Sequence, residues 1–546
     1  MRDTMSCTGR GLAAAAVLLL AGVAGCSGQA NVSFNLINPC QEDVLFANNQ
    51  CQFMEVCVSS LDPQDPLHPS QIANGLGPRC HTCSFSEGTC DMSGDDLDGP
   101  ARIVDLRCRT TLDGPAMARA TSQSLVLGSG PGALGSITMN LLLGNVNSFT
   151  ETTVVDPRSS QLGTCSMMGQ GEIGRYGHTA TLLADGRVLI TGGVRRYGQG
   201  LEEVLATAEI FDPATGTHQL ITDRTGNPVK MAAPSGRAFH TATRLRDGRV
   251  LLAGGVGLVD GKRTTLQSAE LFDPATNSFG TISVMGSGRA HHVATMLATG
   301  EVLVTGGAAY QNGDVVNYFN SAIRYLPGSN AWEPVQNNMS AARAFHAAVL
   351  LDPSKYNGNV VIIGGQDQNG PLGSIDVYNA QANQFYQGVN VTMHKNRSHL
   401  CAVALDNGDV LVAGGKTTED DTSVDAGVEI YNPGVPTYGE FRDLELNLTV
   451  ARMDHTCSLL ETGNVVVAGG KTSTATGVQV GEMILVGSGT YSVEQIADDF
   501  LDPPRFLHQA TSMQNGWVLL TGGLPSDTPD SKPATQSMYF VPEPSF

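Results

Sequence analysis

Beyond about residue 170 the chain alternates short apolar runs with polar, glycine-rich stretches. Seven runs stand out: RVLIT, RVLLA, EVLVT, NVVII, DVLVA, NVVVA and WVLLT. Each is apolar at consecutive positions, the pattern of a strand covered on both faces. A glycine pair follows every run, at 192–193, 254–255, 306–307, 364–365, 414–415, 469–470 and 522–523, with spacings of 62, 52, 58, 50, 55 and 53. Six residues before each pair lies another glycine: Gly186, Gly248, Gly300, Gly358, Gly408, Gly463 or Gly516. Five of these seven follow Asp or Asn, and such pairs supply the positive φ angles of a tight hairpin turn. A strand such as HTATLL precedes the turn, so each unit opens with a hairpin.

After the glycine pair come a polar loop and a third strand. It reads AEIFDP (208–213), AELFDP (269–274), AIRYLP (322–327), IDVYNA (375–380), VEIYNP (428–433) and, more weakly, GEMILV (481–486) and SMYFVP (537–542). A fourth short strand is centred on Phe279, Trp332, Phe385, Phe441 or Tyr491. Four antiparallel strands repeated about every 50 residues predict a propeller. The succession DG-x-V-L-x-x-GG, E-x-[FY]-D-P and an aromatic resembles the kelch repeat. The resemblance covers roughly residues 170–546 and implies an all-β fold, a seven-bladed kelch-type β-propeller of the kind galactose oxidase has. Here Phe or Tyr usually replaces the fourth-strand Trp of that repeat.

A ring of blades must bury its last edge against its first. The seventh repeat stops after its third strand. Asn147-Ser148-Phe149-Thr150 resembles Asn277-Ser278-Phe279-Gly280 of a fourth strand. Residues about 146–156 are therefore expected to complete the blade begun by 505–542, and a strand around 161–168 is the competing choice. The propeller is expected to occupy 136–546.

Two residue types keep the repeat's register. His178, His240, His292, His455 and His508 lie fourteen residues before a glycine pair, and His346 lies eighteen before, with a local insertion. Three residues ahead of each is Arg175, Arg237, Arg289, Arg452, Arg505 or Arg343; Arg397 fills the slot in the fifth repeat, where Leu400 replaces the histidine and His399 stands beside it. The kelch resemblance places this segment at the start of the innermost strand, so the seven arginines would approach the central channel. They are candidate binding residues for an anionic sugar or a carboxylate. The alternative is a structural bracket, with the arginines paired to Glu209, Glu270, Asp376, Glu429 and Glu482 and the histidines bonded to neighbouring backbone. A ligand is rarely seven-fold symmetric, which favours the bracket. Glu419-Asp420-Asp421 with Asp425, and the Asp95–Gly99 stretch, carry hard oxygens suited to calcium but also read as solvated acidic loops.

The start of the chain has a different character. Residues 11–22, GLAAAAVLLLAG, follow Arg2 and Arg10 and are too short for a membrane span, which needs ~20 residues. Val23-Ala24-Gly25-Cys26 resembles the lipobox of bacterial lipoproteins. The resemblance implies that residues 1–25 are a signal peptide, that Cys26 is lipidated, and that Ser27 directs the protein to the outer membrane, periplasmic or surface-facing. An ordinary signal peptide and a secreted protein are the alternative. Cys40, Cys51, Cys57, Cys80, Cys83, Cys90, Cys108 and Cys165 read as the disulfide framework of an exported chain, with 26–135 a stapled module and linker. Cys80 and Cys83 alone would also suit a redox pair or half a zinc site. Cys401 and Cys457 stand apart and read as buried core thiols.

Composition narrows function. The 546 residues hold 52 Asp+Glu against 32 Lys+Arg, a formal charge of -20. Such a surface repels phosphate backbones, so nucleic-acid binding is not expected. No nucleotide loop, GxSxG or HExxH motif occurs. The expected function is a non-enzymatic, lipid-anchored module that binds an envelope protein or a glycan through its variable loops and needs no cofactor. The propeller resemblance leaves two enzyme alternatives, a sugar mutarotase or a copper oxidase. The oxidase family uses copper on two His and two Tyr, including an adjacent Tyr-His pair that this chain lacks.

Overall fold

In the computed structural model, side chains are described for residues 174–542 apart from 199, 215, 234, 235, 502, 536 and parts of two strands. Ahead of residue 174, strand backbone is described between Ala16–Leu19 and Thr153–Val154. The described residues form a seven-bladed, kelch-type β-propeller with almost no helix. Blade 1 runs, from the axis outward, through Thr179–Leu182, Val188–Thr191, Ala208–Asp212 and Thr217–Leu220, all antiparallel. The inner strands of blades 2 to 7 are Thr241–Arg244, Val293–Met296, Ala347–Leu350, Cys401–Ala404, Thr456–Leu459 and Gln509–Ser512.

The apolar runs are the second strands, and all four residues of each are buried in every blade. They supply both sides of seven cores, one per blade junction. Val188, Ile190 and Phe211 of blade 1 pack on Trp517, Leu519, Tyr539 and Val541 of blade 7, so the first and last blades share a core like any other pair. Trp517 stacks on Tyr539 with ring centroids 4.9 Å apart. The closing strand is Ser148–Glu151, antiparallel to Met538–Val541 with Phe149 opposite Phe540. Two residues later Thr153–Val154 adds in parallel to the outer strand of blade 1. The N-terminal strand thus crosses the junction that the chain ends leave open.

Several expectations change. The glycine before each apolar run has positive φ, but its Asp or Asn partner does so only at Asn357. Gly186 N donates to Leu183 O and Leu183 N to Arg187 O. These are three-residue turns needing one left-handed glycine. The insertion ahead of blade 4's second strand is a single helical turn, Pro353–Tyr356, capped by Asp352. Cys401 and Cys457 are not free thiols; they form a disulfide between the inner strands of blades 5 and 6. Cys57 is buried and disulfide-bonded, and Cys80, Cys83 and Cys108 lie on strands whose backbone alone is described. Cys26, Cys40, Cys51, Cys90, Cys165, most of Asp95–Gly99 and the 161–168 stretch lie outside the described residues. No described helix is long and apolar enough to cross a membrane.

Candidate functional site

The strictly repeated residues are buried between the blades. All seven arginines, Arg175, Arg237, Arg289, Arg343, Arg397, Arg452 and Arg505, are at most 3% exposed. Each donates to the carbonyl of the first glycine in its own blade's pair. Arg175, Arg237, Arg343, Arg397 and Arg452 pair with Glu209, Glu270, Asp376, Glu429 and Glu482. In blade 3 the acid's register position holds Ile323 opposite Val304. Arg289 makes do with the Ser321 carbonyl and hydroxyl and the face of Phe319. Each arginine's own carbonyl accepts from the second glycine of the preceding blade, and Gly523 N to Arg175 O, 2.9 Å, carries the pattern across the ring closure. A Cβ on the first glycine of each pair would strike this carbonyl, which is why the slot tolerates no side chain.

The histidines reach the preceding blade as well, but through side chains rather than backbone. Nε2 bonds a threonine hydroxyl in five junctions: His240 to Thr179 and Thr191, both 3.1 Å, His292 to Thr241, 2.9 Å, His346 to Thr305, 2.9 Å, His508 to Thr456, 2.9 Å, and His178 to Thr521, 2.7 Å, across the closure. Burial pushes these imidazoles far below their ordinary range; His292 and His508 fall to about 3, with a nearby arginine adding to the effect. They are neutral structural bonds at neutral pH.

The residue just before the histidine slot reaches the axis. Gly177, Phe239, His291, Phe345, His399, Asp454 and Leu507 all adopt positive φ, between 53° and 61°. Each donates its N–H to the carbonyl of its counterpart one blade back, at 2.7 to 3.3 Å, and Gly177 N to Leu507 O closes a seven-membered circle. The left-handed turn points these side chains into the axial opening. His291 and His292, both just ahead of the strand Val293–Met296, divide between the axis and the blade junction.

This axial ring has two unlike halves. Phe239, His291, Phe345 and His399 follow one another ring to ring, with centroids 4.6, 4.2 and 4.1 Å apart; the first two contacts are tilted and the last is stacked. Burial lowers His291 to about 3 and His399 well below its ordinary value, so both are uncharged aromatic rings. Tyr176, Tyr310 and Leu258 back this arc. The rest of the ring is Asp454, Leu507 and Gly177, and a lysine–carboxylate network lies beside Asp454. Lys471 Nζ bridges Asp421, 2.9 Å, and Asp527, 2.7 Å, while Lys416 holds the other Asp421 oxygen at 3.2 Å. Asp425 is held by Lys395 and Arg397. Asp421 and Asp425 are thus neutralised by lysine and arginine rather than left as open oxygen ligands. Asp454, half-buried 4.0 Å from His399 Nε2, is pushed up to about 7 by burial, with Lys471 opposing.

The ring lines an axial cavity of about 280 Å³, just below the usual range of small-ligand pockets. On one side the loops of blades 1 to 3 rise as hairpins, Val194–Gly198 with Leu201–Val204, Val256–Val259 with Lys262–Thr265, and Ala308–Gln311 with Asp314–Tyr318. Copper chemistry does not fit these donors. Phe345 separates His291 from His399, and the cysteine pair near His455 is already bonded to itself.

The residue-level reading centred on the arginines and passed over the axial slot. Its one available signal was variation: at a fixed register beside invariant Arg and near-invariant His, this slot changes in nearly every blade. No protein-family model and no curated protein matches the chain. Among solved structures it is similar to YjhT, at 14% identity over 59% of this chain and 99% of that one, TM-score 0.45. It is also similar to a fungal alcohol oxidase of the AA5 family in complex with copper, at 14% identity over 68% and 75%, TM-score 0.50. At such identity the likeness to the oxidase speaks to the fold alone.

Proposed function

We propose that the protein is a lipid-anchored envelope module that binds a glycan, without turnover, at the axial mouth of its loop face. The carrying observation is the asymmetric ring: uncharged aromatics on one arc, and on the other Asp454 with a lysine–carboxylate network beside it. A saccharide has an apolar ring face and a polar rim, so one side of such a mouth stacks while the other hydrogen-bonds. The buried arginines serve the scaffold in this reading.

The test is a glycan array probed with the full chain, followed by calorimetric titration of the best ligand. His399→Ala removes one stacked ring and is expected to weaken binding about tenfold, the upper range for an aromatic contact. Binding unchanged by both His399→Ala and Lys471→Met would refute the axial site. Comparing palmitate-analogue labelling of the wild type with Cys26→Ser tests the anchor, and equal labelling would refute it.

One observation favours a second reading. Asp454, poised to about 7 beside His399, has the proton affinity of a general acid–base for sugar ring opening. Acceleration of mutarotation that disappears in Asp454→Asn would replace the binding reading with an enzymatic one.

A further inference from the structure

The junction between blades 5 and 6 departs from its neighbours. Blade 5 presents Cys401 and Ala413 where blade 1 presents Thr179 and Thr191. No hydroxyl is left for the next histidine. His455 is 7% exposed, and apart from an ill-aligned approach to the Ala413 main chain neither ring nitrogen has a hydrogen-bond partner. Its nearest functional neighbours are the two sulfurs: imidazole nitrogen, Cys401 Sγ and Cys457 Sγ all lie within 4.8 Å of one another.

The chain contains its own control. Blade 4 also lacks the hydroxyls, with Ala347 and Ile363 in the two slots, and there the next blade replaces the histidine with Leu400, which packs into the same apolar core. A histidine without a hydroxyl partner is therefore not required by the fold. Leaving a buried polar nitrogen unsatisfied destabilises the folded chain. Two sulfurs and an imidazole are the donor set of a thiophilic metal ion.

We propose that the disulfide masks a metal site, which reduction opens to a thiophilic d10 cation held by Cys401, Cys457 and His455. A dithiol supplies two electrons and two protons, the S–S bond breaks to two thiols, and the dithiol leaves as its own disulfide. The entering cation displaces both thiol protons to solvent and takes two thiolates and one imidazole nitrogen. His455 also borders the axial cavity, which provides the way in and leaves a fourth position for water.

The full chain, reduced with a water-soluble phosphine and desalted without oxygen, would be titrated with Zn²⁺ alone. Wild type is expected to bind one equivalent more than Cys401→Ser/Cys457→Ser, since thiols of the N-terminal module are common to both. Co²⁺ in place of Zn²⁺ should show a thiolate-to-metal absorption band that the double variant loses. His455→Leu copies the residue of the preceding junction, so it should fold; it is expected to weaken the extra site at least tenfold. Equal stoichiometry in wild type and double variant, or an unweakened site in His455→Leu, would overturn the proposal.

Discussion

The junctions flanking blade 5 and the other five solve one problem with different chemistry. Five junctions use a neutral histidine hydrogen-bonded to a threonine of the preceding blade. At the junction of blades 4 and 5 the histidine slot is apolar, with Leu400, Ile363 and Ala347, and at the junction of blades 5 and 6 the contact is covalent. All seven keep the glycine-to-arginine main-chain bond and the axial circle of N–H to carbonyl bonds. Backbone geometry is therefore the shared requirement, and the side-chain contact is exchangeable; among the slot histidines, His455 alone has neither ring nitrogen partnered. The same contrast runs through the arginines: five face a carboxylate, while Arg289 does not.

The largest expected effect comes from stranding one of those arginines. Glu482→Ala would leave Arg452, fully buried, without its carboxylate and is expected to cost about 3–5 kcal/mol in denaturant unfolding. Arg289→Met has no carboxylate to strand but takes the donor from the Gly306 carbonyl, so it should cost less, about 1–3 kcal/mol. Similar losses for the two variants would show that the ion pairs are not what the arginines contribute.

Next in size is the covalent junction. Removing both Cys401 and Cys457 opens a loop with a sequence separation of 56 and should cost about 4 kcal/mol by chain entropy. His346→Leu should cost about 1–3 kcal/mol by stranding the buried Thr305 hydroxyl. Adding Thr305→Ile recreates the Leu400–Ile363 chemistry and should recover most of that loss. No recovery in thermal unfolding would mean that the junctions are not interchangeable.

A last test is in pH dependence. The buried histidines hold protons less tightly folded than unfolded, so their contribution is complete above about 6.5 and is lost as pH falls toward 3. Asp454 has the opposite sign: its contribution is present below about 4 and lost as pH rises through about 7. Asp454→Asn should therefore match wild type near pH 4 and unfold at higher temperature at pH 8. A shift at pH 4 instead would contradict the burial of this carboxyl.

Much of the scaffold was legible because propeller blades repeat. Second strands buried on both faces read as unbroken apolar runs, and the acids facing five arginines stand at one register. The disulfide was not legible, since Cys401 and Cys457 are 56 residues apart and become neighbours only when adjacent blades pack. The histidine partners were misread for a related reason: a threonine one blade back is distant along the chain.

The amino-acid sequence by itself determined the blade count, the strand patterning and the repeated Arg, His and Gly-Gly slots, because local periodicity encodes them. Only the tertiary structure decided which side chains meet the axis. A left-handed φ at Phe239, His291 or Leu507 has no local preference to announce it; the closed circle of main-chain bonds imposes it, and that circle exists only once all seven blades are in place.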